Sequence, residues 1–223
     1  MNKNSIQKQL RFTAVRWLVS CGVAAMLLPV VAPAQSTIVD ANNRGIELEK
    51  EGKFDEAIAQ YRAALALNPE DAHIHSNLGG VLAKRGLLEE AVAETREAVR
   101  LEPENSKNHT NLGFSLSRKG DIEGAIKEYR ESIRLNPANP ISRYNLGVSL
   151  KKTGDLTGAA AELRAYLQIE PKDSETHVVL GDVLEAKGDF DAALSEYRTA
   201  LALDAKSPWA QGRVDGLLNR TKR

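Results

Sequence analysis

Four asparagines stand 34 residues apart, at Asn43, Asn77, Asn111 and Asn145. A primary amide both donates and accepts hydrogen bonds, so a regular row of them can hold a peptide backbone whatever side chains that backbone carries. Cations keep the same register at Lys50, Lys84, Arg118 and Lys152. Two readings of them stay open: they meet an acidic ligand, or they complement the negative C-terminal end of a helix. Ile46, Phe114 and Val148, each three residues after an asparagine, add apolar surface. Phe114 suits an apolar ligand side chain, or equally packs against the adjacent unit. Acid–base chemistry finds less support. His75, His109 and His177 share one register on the packing side of a helix and read as core residues rather than ligands or bases. His73 and His75, two apart, diverge on a helix. The sequence offers no phosphate-binding glycine loop, nucleophile elbow or metal-spaced cluster, so no catalytic residue, metal or cofactor is expected.

The elements that must position these residues follow from the period. Glycines recur at Gly45, Gly79, Gly113, Gly147 and Gly181, and again at Gly52, Gly86, Gly120, Gly154 and Gly188. Alanines recur at Ala57, Ala91, Ala125, Ala159 and Ala193, and prolines at Pro69, Pro103, Pro137 and Pro171, with Ala205 where a fifth would stand. This resembles the tetratricopeptide repeat, a 34-residue helix-turn-helix unit with small residues at positions 8 and 20 and Pro at 32. Five units are expected, at about 38–71, 72–105, 106–139, 140–173 and 174–207, followed by a capping helix and tail at 206–223. The resemblance implies an all-α, right-handed superhelical solenoid.

Local chemistry agrees with that reading. The first helix of each unit should end at the position 15 glycine, suited to a left-handed C-cap, and Asp121, Asp155 and Asp189 can cap the next helix. Lys53 and Leu87 are weaker caps. The second helix ends before proline, which lacks an N–H and restricts its predecessor. Small residues at positions 8 and 20 let the two helices approach closely. In the third unit Leu112, Leu116, Ile122, Ile126, Tyr129 and Ile133 form one apolar seam. Each unit buries its faces only against neighbours, so the ends need covers. The C-terminal stretch fits, with Ser207 as N-cap, Pro208 at the first helical position, and Val214, Leu217 and Leu218 on one side.

In the family's superhelix, positions 2, 6, 9 and 13 line the concave surface. The position 6 asparagines resemble those of O-linked N-acetylglucosaminyltransferases, where such a ladder holds an extended peptide, although Asn at this position is also common in repeats with no known use for it. The resemblance thus implies a peptide-binding set of Asn43, Asn77, Asn111 and Asn145 with Phe114, Val148, Lys84, Lys107, Arg118 and Lys152. The catalytic domain that those transferases append is not expected here. Repeat five departs from the pattern, with Val179 in place of Asn and Glu175, Asp182 and Ala186 on the same stripe, so the site should centre on repeats two to four. Of the family's carboxylate clamp only Asn77 and Lys107 match, and that mode is rejected.

Charge and the N-terminus bear on partners and location. Lys3, Lys8, Arg11 and Arg16 lie in the first 34 residues without an acid, leaving 26 basic against 30 acidic groups in the rest, a net of −4. Nucleic acid, which needs a basic surface, is therefore not an expected partner. The basic start, the apolar run from Trp17 to Val31 and the Ala-Pro-Ala at 32–34 read as a secretory signal over 1–34, cut after Ala34. An uncleaved membrane anchor and lipidation at Cys21 remain the alternatives, the former weakened by Pro29 and Pro33 within the ~20 residues that a span needs. The expected function is a non-enzymatic scaffold outside the cytoplasm, periplasmic or secreted, binding a peptide or partner protein. The alternative is a membrane-anchored accessory subunit or assembly factor of an envelope complex.

Overall fold

The computed structural model describes residues 31–220, all of whose regular elements are helical. They are α1 (Val31–Lys50), α2 (Phe54–Leu67), α3 (Ala72–Arg85), α4 (Leu88–Leu101), α5 (Ser106–Lys119), α6 (Ile122–Leu135), α7 (Pro140–Thr153), α8 (Leu156–Ile169), α9 (Ser174–Ala186), α10 (Phe190–Leu203) and α11 (Pro208–Arg220). Ten of these make five antiparallel pairs that stack in chain order, and α11 covers the last pair. Helix α1 starts at Val31 and runs through the Ala34–Gln35 junction. Most of the expected signal segment, including Cys21, lies outside the described residues. Among the described residues no helix is long and apolar enough to cross a membrane.

The punctuation works as its chemistry demands. Gly52, Gly86, Gly120, Gly154 and Gly188 all take positive φ, between 75° and 96°, where a side chain would be strained. Asp121 and Asp155 accept from the backbone N–H groups of Gly124 and Gly158 at 2.9 Å each, and Asp189 accepts from Ala192. Lys53 and Leu87 make no side-chain cap. Asp71, Asn105, Asn139 and Asp173, just before the first helix of the next repeat, also act as N-caps; they stand 34 residues apart in register with Ser207, and only Ser207 is singled out from sequence.

The tight contact at position 8 is made by position 24. A Cβ built on Gly113 would lie 2.7 Å from Tyr129, on Gly45 2.6 Å from Tyr61, and on Gly147 2.8 Å from Leu163. The position 20 alanines are fully buried beside these contacts. In the third repeat Leu112, Leu116, Ile126 and Tyr129 are buried and Ile122 and Ile133 pack against them. At the C-terminus Val214 and Leu217 are buried, Leu218 packs beside them, and Ser207 Oγ accepts from the N–H of Ala210.

The position 4 histidines need a correction. They sit at repeat interfaces as expected, but as polar struts rather than apolar filling. Nδ1 of His75, His109 and His177 lies 2.6–2.7 Å from Glu94, Glu128 and Glu196, while Nε2 faces the carbonyls of Pro69, Pro103 and Pro171 in the preceding repeat. Arg143 occupies the same slot in repeat four, donating to Glu162 and to the Pro137 carbonyl. The slot thus sets a side chain with two ring or guanidinium nitrogens between a carboxylate and a backbone carbonyl, a polar demand that hydropathy does not register.

Candidate functional site

The first helices of successive repeats, α1, α3, α5, α7 and α9, touch one another as well as their own partners, which makes them the inner wall of the stack. Four of them bound one cavity of about 420 Å³. Its walls are Ile46 and Glu49 from α1, Ser76, Asn77, Gly80 and Lys84 from α3, Lys107, Thr110, Asn111 and Phe114 from α5, and Ile141 and Asn145 from α7. The volume lies in the range of ligand-binding clefts. Apolar surface comes from Ile46, Phe114 and Ile141, and polar capacity from three amides and two lysines. Among the described residues no cluster of His, Cys, Asp and Glu could hold a metal ion.

Six of the ten residues singled out from sequence meet at this cavity: Asn77, Asn111, Asn145, Phe114, Lys84 and Lys107. Asn43, Val148, Arg118 and Lys152 do not line it. Asn43, Arg118 and Lys152 are exposed elsewhere and Val148 is half-buried. The guanidinium of Arg118 sits 5.9 Å from the Phe114 ring centroid, a cation–π distance, so it braces the aromatic from outside the cavity. Phe114 also packs against the core of the first two repeats, so both readings of it apply at once. The site reaches repeat one through Ile46 and Glu49, one repeat before the expected centre on repeats two to four.

The asparagines are not free of the scaffold. Asn77 Nδ2 donates to Asn42 Oδ1 at 3.2 Å, and Asn111 Nδ2 donates to Ser76 Oγ at 2.8 Å and approaches the Ser76 carbonyl at 3.3 Å. In each case position 6 reaches position 5 of the preceding repeat, stitching adjacent first helices along the groove wall. Asn145 makes no such bond among the described residues. Sequence reasoning missed position 5, because a residue between the packing stripe and the groove stripe belongs clearly to neither. It supplies Ser76 and Thr110, both buried yet touching the cavity. Thr110 also ties repeats three and four, its hydroxyl 2.9 Å from Ser132 Oγ and 2.8 Å from Ser142 Oγ.

Charge in the cavity is uneven. Lys84 Nζ is neutralised by Glu49 at 2.7 Å, whereas among the described residues Lys107 Nζ reaches only Asn77 Oδ1 at 3.5 Å. Past Asn145 the inner wall changes. Val179 packs into the core, and Asp182 is bound by Lys151 at 3.1 Å, by Arg213 of α11 at 2.8 Å and by the Tyr197 hydroxyl at 3.0 Å.

Family models of the tetratricopeptide repeat match residues 42–106, 116–154, 141–173 and 174–207, which together span most of the chain. The chain belongs to the tetratricopeptide repeat family. Similar solved structures include a crystal structure of MamA, 24% identical with a TM-score of 0.65, covering 73% of this chain and 95% of that one. Another is TTC0263, a thermophilic tetratricopeptide repeat protein of Thermus thermophilus, 23% identical with a TM-score of 0.66, covering 81% of this chain and 98% of that one. A third is YrrB, described as a tetratricopeptide repeat protein with an unusual peptide-binding site, 22% identical with a TM-score of 0.64, covering 77% of this chain and 89% of that one. No curated protein matches the chain. At these identities the neighbours establish the fold, the superhelical solenoid of tetratricopeptide repeats.

Proposed function

We propose that the chain is a non-enzymatic scaffold that binds an extended peptide, or an extended segment of a partner protein, in the concave groove of repeats one to four. The carrying observation is the cavity itself, where three amides, a lysine without a carboxylate partner among the described residues and three apolar side chains converge from four consecutive repeats. The likeness of the asparagine ladder to that of O-linked N-acetylglucosaminyltransferases supports recognition of backbone. So does the chemistry of the amide, which has two N–H groups and a carbonyl and keeps bonding capacity after one bond to the neighbouring repeat. YrrB, whose structure carries a peptide-binding site, lends the same support by analogy of fold.

The scaffold works outside the cytoplasm, in the periplasm or as a secreted protein, a reading that rests on the basic start, apolar run and Ala-Pro-Ala of residues 1–34. The apolar run also supports a second reading, an accessory subunit or assembly factor anchored in the envelope membrane. Intact mass of the native protein separates them: a chain beginning at Gln35 supports export, while retained Met1 or a lipid-modified Cys21 supports anchoring. Binding is tested by affinity capture from the native envelope with the parent protein and a Phe114→Ala/Asn145→Ala variant. A partner held by the parent and lost by the folded variant supports the groove; equal capture by both overturns it.

A further inference from the structure

Two adjacent glycines in α3 differ in what surrounds them. Gly79 is at position 8, and a Cβ there would run into Thr95 and lie 3.1 Å from the Ala91 carbonyl oxygen. Gly80 is at position 9, and a Cβ there would meet no heavy atom within 4 Å. Neither a positive φ nor a helix contact calls for glycine at 80, and a helix interior disfavours it. Its neighbours at position 9 on the flanking helices are Ile46 and Phe114, and all three line the cavity. The missing side chain therefore leaves a socket with an apolar wall on either side.

We propose that Gly80 makes a specificity socket for one bulky aliphatic or aromatic side chain of the bound peptide, with an acidic residue of the same peptide beside it on Lys107. The proposal rests on the groove reading above and adds the chemistry of the partner. Charge complementarity supplies the acidic half. Among the described residues Lys107 has no carboxylate within salt-bridge distance, while the cavity's other lysine is already paired with Glu49. Asn77, which Lys107 touches, stands three residues before Gly80 and so shares its helix face, placing cation and socket side by side. Ile141, on the helix beyond Phe114, is 60% exposed and extends the apolar wall away from the socket.

A random peptide library displayed on phage is selected against the purified chain. The expected winners carry an aliphatic or aromatic residue next to Asp or Glu. A resynthesised winner should bind Gly80→Leu about tenfold to a hundredfold more weakly, the equivalent of losing one buried apolar side chain. Lys107→Glu should reverse the preference, favouring the same peptide with its acid changed to lysine. Because Gly80 faces open space, Gly80→Leu should melt no lower than the parent, and Gly80→Ala repeats the test with a single methyl if it does. Winners that bind Gly80→Leu and Gly80→Ala as tightly as the parent overturn the socket and leave the groove reading standing. A selection that yields no winners overturns both.

Discussion

Gly80 on α3 and Asp182 on α9 hold the same repeat position, yet one opens onto empty space and the other is gripped by three partners. Around Gly80 the inner wall offers amides and apolar side chains. Around Asp182 the third partner, Arg213, comes from the terminal helix α11, at the place where an asparagine would stand in a sixth repeat. Helix α11 occupies the first-helix slot of a sixth unit, with Asp215 at position 8 where the five repeats have glycine. The two ends share a scaffold because positions 8, 20 and 24 make the same close helix contact in every repeat, while positions 6 and 9 carry different side chains at the two ends. An open groove wall at one end and an ion-paired one at the other are thus written at positions outside that close contact.

The largest test of the shared scaffold is alkaline. Burial raises the Tyr129 hydroxyl well above its ordinary range; burial and Glu49 do so for Tyr61, and burial with Asp182 and Glu185 for Tyr197. Burial and a hydrogen bond to Asp173 push Tyr166 up to about 12. A folded pKa above the unfolded one means that the stability is fully present below about pH 10 and is lost as pH rises beyond it. Phenolate absorbance should therefore appear together with loss of helical circular dichroism in one transition above about pH 10. Tyrosines that ionise near their ordinary pKa in a still-folded chain would break the claim that position 24 is a common buried anchor. Asp182→Asn sharpens the comparison, since it should ease ionisation of Tyr197 at the C-terminal end and leave Tyr129 unchanged.

Next in size is the helix contact itself. Gly113→Leu and Gly181→Leu should each destabilise the fold by about 1 to 3 kcal/mol or more in denaturant unfolding. In both cases the new side chain meets a tyrosine ring, Tyr129 or Tyr197. Helix propensity alone makes the opposite forecast, a gain of about 1 kcal/mol. A stabilised variant at either end would show that the repeats are not packed alike.

Much of this architecture was legible in the sequence because the repeat shows each constraint several times. A glycine that must adopt positive φ, such as Gly120, and one that must admit a neighbour, such as Gly113, recur at fixed intervals and separate from chance. The groove was legible only in part. Helical angles placed Asn77, Asn111, Lys107 and Phe114 on the inner stripe but could not say where four helices converge closely enough to enclose a cavity. That depends on curvature and on neighbours, so Val148 and Lys152 fell away while Glu49 and Ile141 came in. The asparagine bonds to the preceding repeat were invisible for the same reason, since both partners are polar and 35 residues apart.

Those bonds give a smaller test. Asn111→Ala removes donation to Ser76 and should cost about 0.5 to 1.5 kcal/mol of stability. Asn145→Ala removes no bond made among the described residues and should be neutral or slightly stabilising, since Ala is the better helix former. Equal losses for the two variants would mean that the ladder is structural throughout, and equal gains that the stitch from Asn111 contributes nothing.

The smallest effect isolates the socket from the scaffold within two consecutive residues. Gly79→Ala places a methyl against the Ala91 carbonyl oxygen and the Thr95 backbone nitrogen, both at 3.1 Å, and backbone atoms cannot move aside as a flexible side chain would. It should be destabilising despite its better helix propensity. Gly80→Ala places the same methyl where nothing stands within 4 Å, so only propensity and the reduced freedom of the unfolded chain act, and stability should rise by about 0.4 to 1 kcal/mol. Opposite signs for neighbouring, chemically identical changes would separate the glycine needed for folding from the one whose space is left for a ligand. A loss of stability at Gly80 would mean that the position serves packing after all, and the open half of the comparison with Asp182 would fail with it.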